Sequence, residues 1–143
     1  MANTSKRVFS VVLRVDATGW RGEPPSFPGP PITIHGPPDA PTGFVYDFDL
    51  DGMDVSLEAV CSLLIAVIEQ EVQRSGSRLQ EPEFRSRCRL DIALSVPADL
   101  AMFSYIWPTE FVALLGRLGI ALEASHYLDA AFEEVVSGGS RST

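Results

Sequence analysis

The chain has 143 residues, a formal net charge of −8 and a sequence pI of about 4.6, so like-charge repulsion argues against a general nucleic-acid or anionic-membrane binder. Hydrophobic residues make up 45% and charged residues 21%, values that exclude a wholly disordered chain. At this length one domain buries enough surface to fold without a metal or disulfide staple.

The apolar stretch after Lys6 and Arg7, Val8–Leu13, is too short for a signal-peptide core, and the densest apolar run, Val60–Ile68, is broken by Ser62 and falls short of a membrane span. The expectation is a cytoplasmic protein in which Cys61 and Cys88 are reduced and buried.

Arg7–Asp16 alternates as a strand, with Phe9, Val11, Leu13 and Val15 on the apolar face and Val8, Ser10, Val12 and Arg14 on the other. Between Gly19 and Gly43 lie eight of the 11 prolines, whose fixed φ and missing donor exclude a helix or a central strand. An ordered loop is expected there, anchored by Trp20, Phe27 and Ile32, with a short edge strand over Ile32–His35; a polyproline II docking segment is the alternative. Phe44–Asp51 is the cleanest alternation: Phe44, Tyr46, Phe48 and Leu50 point inward, and Val45, Asp47, Asp49 and Asp51 outward. After Gly52, the stripe Leu57, Val60, Cys61, Leu64, Ile68 and Val72 predicts a helix from Asp54 or Val55 to Arg74. Asp54 or Ser56 would cap it, Gly76 would stop it, and its apolar middle implies cover on more than one side.

Glu81–Glu83 reads as a connection, and Arg85–Val96 as a strand with Cys88, Leu90, Ile92, Leu94 and Val96 inward. Ala98–Trp107 is irregular and aromatic-rich. Pro108 opens a helix with Phe111, Leu114, Leu115 and Leu118 as its apolar face and Gly119 as its stop. Ile120–Tyr127 is a last strand, Asp129–Val136 a short helix and 137–143 a disordered polar tail. The expected fold class is α+β, a mainly antiparallel four- to five-stranded sheet with two helices packed on one face, in a single domain over residues 1–136.

The charge is not spread evenly. Residues 44–71 carry −7 with no Lys or Arg, whereas 1–43 carry +1, 72–96 carry +2 and 97–143 carry −4. Asp47, Asp49, Asp51, Asp54 and Glu58 are therefore the candidate partner-binding residues, with Tyr105 and Trp107, close to Asp99, as candidate aromatic anchors. The same segment fits D-x-D-x-D-G-x5-E, so Asp47, Asp49, Asp51 and Glu58 form an alternative calcium set. Against calcium stand Asp54 and Val55 at the eighth and ninth loop places, and a strand rather than a helix leading in. A solvated acidic face running into a helix N-terminus is the third reading. Arg85, Arg87 and Arg89 form an outward row of the same period, and would pair with the aspartates if the two strands are neighbours.

Neither His35 nor His126 has a ligand-spaced neighbour, and no nucleophile elbow or phosphate-binding glycine loop is present. The expectation is a protein that is not an enzyme, without cofactor or metal. A small-molecule or enzymatic domain with its site under the Pro-rich loop is the alternative.

Trp20-Arg-Gly22-Glu23, the helix start Val55-Ser-Leu57-Glu58, and Pro108-Thr-Glu-Phe-Val-Ala-Leu-Leu-Gly-Arg-Leu-Gly119-Ile-Ala-Leu-Glu with Tyr127 together resemble an uncharacterised bacterial cytosolic domain family of unknown function, over residues 8–127. The resemblance implies a small α+β protein without known catalysis. The chain departs from it where a Pro-rich loop replaces the family's helix after the first strand. In size and charge the chain is also similar to immunity proteins, which implies by analogy a toxin or effector partner with a basic site, bound by a monomer or homodimer.

Overall fold

The computed structural model describes residues 7–27, 29–50, 56–96 and 105–128. Strand β1 (Arg7–Asp16) is the centre of a five-stranded sheet. Val11, Leu13 and Val15 point into the core, as the alternation predicts. At the start of the strand the pattern reverses. Val8 pairs with Leu94 and Ser10 with Ala93, so Phe9 is an extra residue, a β-bulge. Val8 is consequently buried, and Phe9 is 59% exposed rather than part of the core face.

The Pro-rich segment contributes one edge strand, β2 (Thr33–His35), which pairs with β3 (Gly43–Asp47). Gly36 has φ 91, and a Cβ there would come within 2.8 Å of Thr42 N, so the tight return between β2 and β3 requires glycine. Trp20 and Phe27 anchor the loop as expected. Trp20 packs edge-on against Phe44 and Phe84, Phe27 packs against Tyr46 and Phe84, and the Tyr46 hydroxyl donates to Pro25 O. Ile32 is no anchor: its side chain is exposed, while its backbone N–H donates to Val45 O.

β3 is shorter than its alternation suggests. Phe44 and Tyr46 are buried, and Phe48 and Leu50 still pack against the core, but the strand ends at Asp47, opposite Val12, with one further bond from Phe48 N to Val11 O. The next partner of that parity would be Ser10, beside the bulge, where the regular ladder is interrupted.

Helix α1 (Leu57–Gln73) is capped by Ser56, whose Oγ accepts from Ala59 N. Leu57, Val60, Cys61, Leu64 and Ile68 are buried. The sheet covers one side of α1, and a single 3-10 turn (Arg78–Gln80) together with α3 (Thr109–Leu118) covers another. Ser62, Ala66, Glu69 and Gln70 face out. The stretch expected to be a mere connection forms α2 (Pro82–Arg85), with Pro82 in the first turn and Phe84 buried. Strand β4 (Cys88–Val96) therefore starts three residues later than predicted, and Arg85 belongs to a helix. Gly119, with φ 75, ends α3 in the left-handed conformation, and β5 (Ala121–Leu128) follows.

The strand order is β2-β3-β1-β4-β5. Three pairings are antiparallel, but β5 runs parallel to β4. The sheet is thus mixed rather than antiparallel throughout, because the crossover through α3 brings the chain back in the same direction. The class is α+β as expected, with three helices in place of two. The main core lies between the helices and the sheet face that carries Val11, Leu13, Phe44, Tyr46, Leu90 and Ile92. The predicted helix over 129–136 and the tail fall outside the described residues.

Candidate functional site

Asp47 is the exposed last residue of β3, Asp49 is exposed just beyond it, and Glu58 is exposed in the first turn of α1. Asp51 and Asp54 lie outside the described residues. Strand β1 stands between this acidic segment and β4, so no cross-strand pairing with Arg85, Arg87 or Arg89 arises. Those arginines are not one row either. Arg85 donates from Nε to Leu118 O at 2.7 Å and from Nη1 to Leu79 O at 2.9 Å, fastening α2 to its neighbours. Arg87 precedes β4 and donates from Nη1 to the carbonyls of Asp16 and Thr18. Only Arg89 stands on the strand, 2.9 Å from Glu123 of β5. Within the acidic block, Glu69 lies 3.9 Å from Arg117, and Glu71 pairs with Arg74.

The sheet face opposite the main core carries a charge ladder that pattern reading missed. One transverse row is Val45–Arg14–Arg89–Ala121 and the next is Asp47–Val12–Asp91–Glu123. The ion pairs run diagonally between the rows. Arg14 Nε donates to Asp91 Oδ2 at 3.2 Å, Arg89 meets Glu123, and Ser125 Oγ donates to Asp91 Oδ1 at 3.0 Å. Asp91 is 8% exposed, and this neutralisation is what makes its burial affordable. The partners were outward-facing residues in the sequence pattern; what was missing was strand order.

The candidate aromatic anchors lie elsewhere. Tyr105 approaches His126 of β5, with its hydroxyl 3.2 Å from Nε2, and meets Trp107 edge-on. Trp107 stacks on Phe111 of α3, and both aromatic residues pack against the core. They sit beside β5, three strand positions from β3. At about 4.8 Å per strand that is roughly 14 Å, so they and Asp47 are not side by side. His126 is adjacent to Ser125 in sequence, but strand alternation turns the two to opposite faces. The Ser125–Asp91 bond therefore does not extend into a Ser-His-Asp arrangement.

Where Phe27 of the Pro-rich loop meets α1 and the sheet, little space is left. The cavity among Leu13, Phe27, Phe48, Ile68, Leu79 and Leu90 holds about 20 Å³ and is apolar, room for no more than a single water molecule. Among the described residues no group of three or more His, Cys, Asp or Glu converges as a metal site; the middle of the calcium-like loop, 51–55, is not among them. Cys61 and Cys88 are free and buried, and burial pushes their thiols up to about 11 and about 12. Among the described residues no helix is long and apolar enough to cross a membrane.

Fold and site together define an α+β protein with one helical layer on a mixed sheet and a charged opposite face. Comparison with protein-family models, with curated proteins and with solved structures gave no match for the chain.

Proposed function

We propose that the protein is a non-enzymatic binding module of the immunity or antitoxin type, which neutralises a basic partner protein through the segment Asp47, Asp49, Asp51, Asp54 and Glu58. The observation that carries this reading is the concentration of charge: residues 44–71 carry −7 with no Lys or Arg, and Asp47, Asp49 and Glu58 of that block are exposed. Electrostatic complementarity at such a segment accelerates encounter and makes binding salt-sensitive. Tyr105 and Trp107, three strand positions away, would contact only a partner large enough to span that distance.

The test is affinity capture from the native host with wild-type protein and with the triple variant Asp47→Asn, Asp49→Asn, Asp51→Asn. The wild type should retain a basic protein at low salt and release it at high salt, and the variant should bind at least about tenfold more weakly. Equal retention by the two refutes the assignment.

A further inference from the structure

On the ladder face, on the side of Arg14 away from Asp47, β1, β4 and the Pro-rich segment frame an open groove of about 480 Å³. Arg14, Arg87 and Arg89 line it, His35 and Thr42 flank it, and Asp16 is the one carboxylate among the lining residues. The chain holds only 11 Lys and Arg, and three of them meet here. Arg14 stands directly opposite Arg89 in the β1–β4 register, and Arg87 precedes Arg89 by two residues. Like charges placed opposite each other on a strand pair destabilise it, so this arrangement calls for a counter-charge.

Inside the groove Asp16, which interacts with Arg87, is the one lining carboxylate set against three arginines. Asp91 bonds the Nε edge of Arg14, Glu123 lies against the Nε edge of Arg89, and neither acid lines the groove. Arg87 is held by two backbone carbonyls, which orient its guanidinium without cancelling its charge. Three oriented forks thus border one concavity. Fork geometry matches the tetrahedral oxygens of phosphate bidentately. The volume falls within the roughly 300–1,000 Å³ of small-molecule sites.

We propose that this groove binds the phosphate group of a small phosphorylated molecule. The site is separate from the acidic segment and independent of it. The test is titration of the ¹⁵N-labelled full chain with pyrophosphate at constant ionic strength, followed by amide shifts. Saturable shifts should centre on Arg14, Asp16, His35, Thr42, Arg87 and Arg89, with millimolar or tighter affinity. Arg89→Gln, which removes an exposed guanidinium, should weaken binding about tenfold while leaving the remaining spectrum in place. Absence of saturable shifts, shifts centred elsewhere, or unchanged affinity in a folded Arg89→Gln overturns the site. Equal affinity for citrate at matched charge overturns the assignment to phosphate. If Arg89→Gln does not fold, the wild-type shift map decides alone.

Discussion

Replacing Asp91 with alanine removes a carboxylate that Arg14 and Ser125 both hydrogen-bond, and leaves Arg14 beside Arg89 without it. The magnitude follows from the two bonds. A charge-assisted bond is worth about 1.5–3 kcal/mol, but the Arg14 side chain is 40% exposed and solvent screening cuts that to about 1 kcal/mol. The Ser125 bond adds about 1 kcal/mol. The expected loss is therefore about 2 kcal/mol, or about 4–8 °C in Tm for a chain of this size. Asp91→Asn keeps an acceptor for Ser125 and should cost about 1 kcal/mol. Urea unfolding followed by circular dichroism measures both, and a double-mutant cycle with Arg14→Met isolates the pair, with a coupling of about 1 kcal/mol expected. If Asp91→Ala lies within about 0.5 kcal/mol of wild type at unchanged m, or if the cycle is additive to within about 0.3 kcal/mol, the carboxylate is not what allows the two arginines to stand abreast.

Phe27→Ala, which empties the ring that holds the Pro-rich segment against Tyr46 and Phe84, should cost about 3–5 kcal/mol and open residues 19–43 to limited proteolysis; a loss under about 1 kcal/mol would mean the loop is fixed by other contacts. Cys61 and Cys88 should resist iodoacetamide at pH 8 until urea is added, and rapid labelling of the native protein would contradict their burial. Their folded-state thiol values lie above the ordinary value of 9.0, so the unfolded chain releases protons first and stability should fall as pH rises from about 9 towards 11–12. The Tyr46 hydroxyl, also pushed up by burial, adds to that loss; a flat melting temperature across this range would refute the linkage. Calorimetry with Ca²⁺ on chelator-stripped protein should show no saturable heat, whereas saturable binding would reassign Asp47, Asp49, Asp51 and Glu58 from partner to ion.

Legibility in the sequence followed the range of the interaction. Elements with uninterrupted periodicity, such as the Leu57–Ile68 stripe and the Cys88–Leu94 alternation, could be placed because the signal lies within a few residues. The Phe9 bulge left no mark, since an inserted residue is visible only against the partner strand. Arg85 and Arg87 kept the strand's period by coincidence, while Pro82 and buried Phe84 folded that stretch into a helix. The same limit hid the ladder: Arg14 and Asp91 are 77 positions apart, and only the pairing of β1 with β4 makes them diagonal neighbours. The acidic segment was legible as composition, but which cations lie near it is a question of strand order.

The place of β1 also bears on synthesis. Its pairing with β3 and the addition of β2 need only residues up to Asp47, so a three-stranded ribbon can assemble early on the ribosome. The other edge of β1 must wait for β4, which begins roughly seventy residues after β1 ends. At about 5–20 residues per second that is a delay of roughly 4–15 s. Throughout it, an edge bearing Val11, Leu13 and Val15 is open to pairing with other nascent chains. Chaperone dependence and yield should therefore respond more to codon choice between residues 48 and 88 than to equivalent changes after β4.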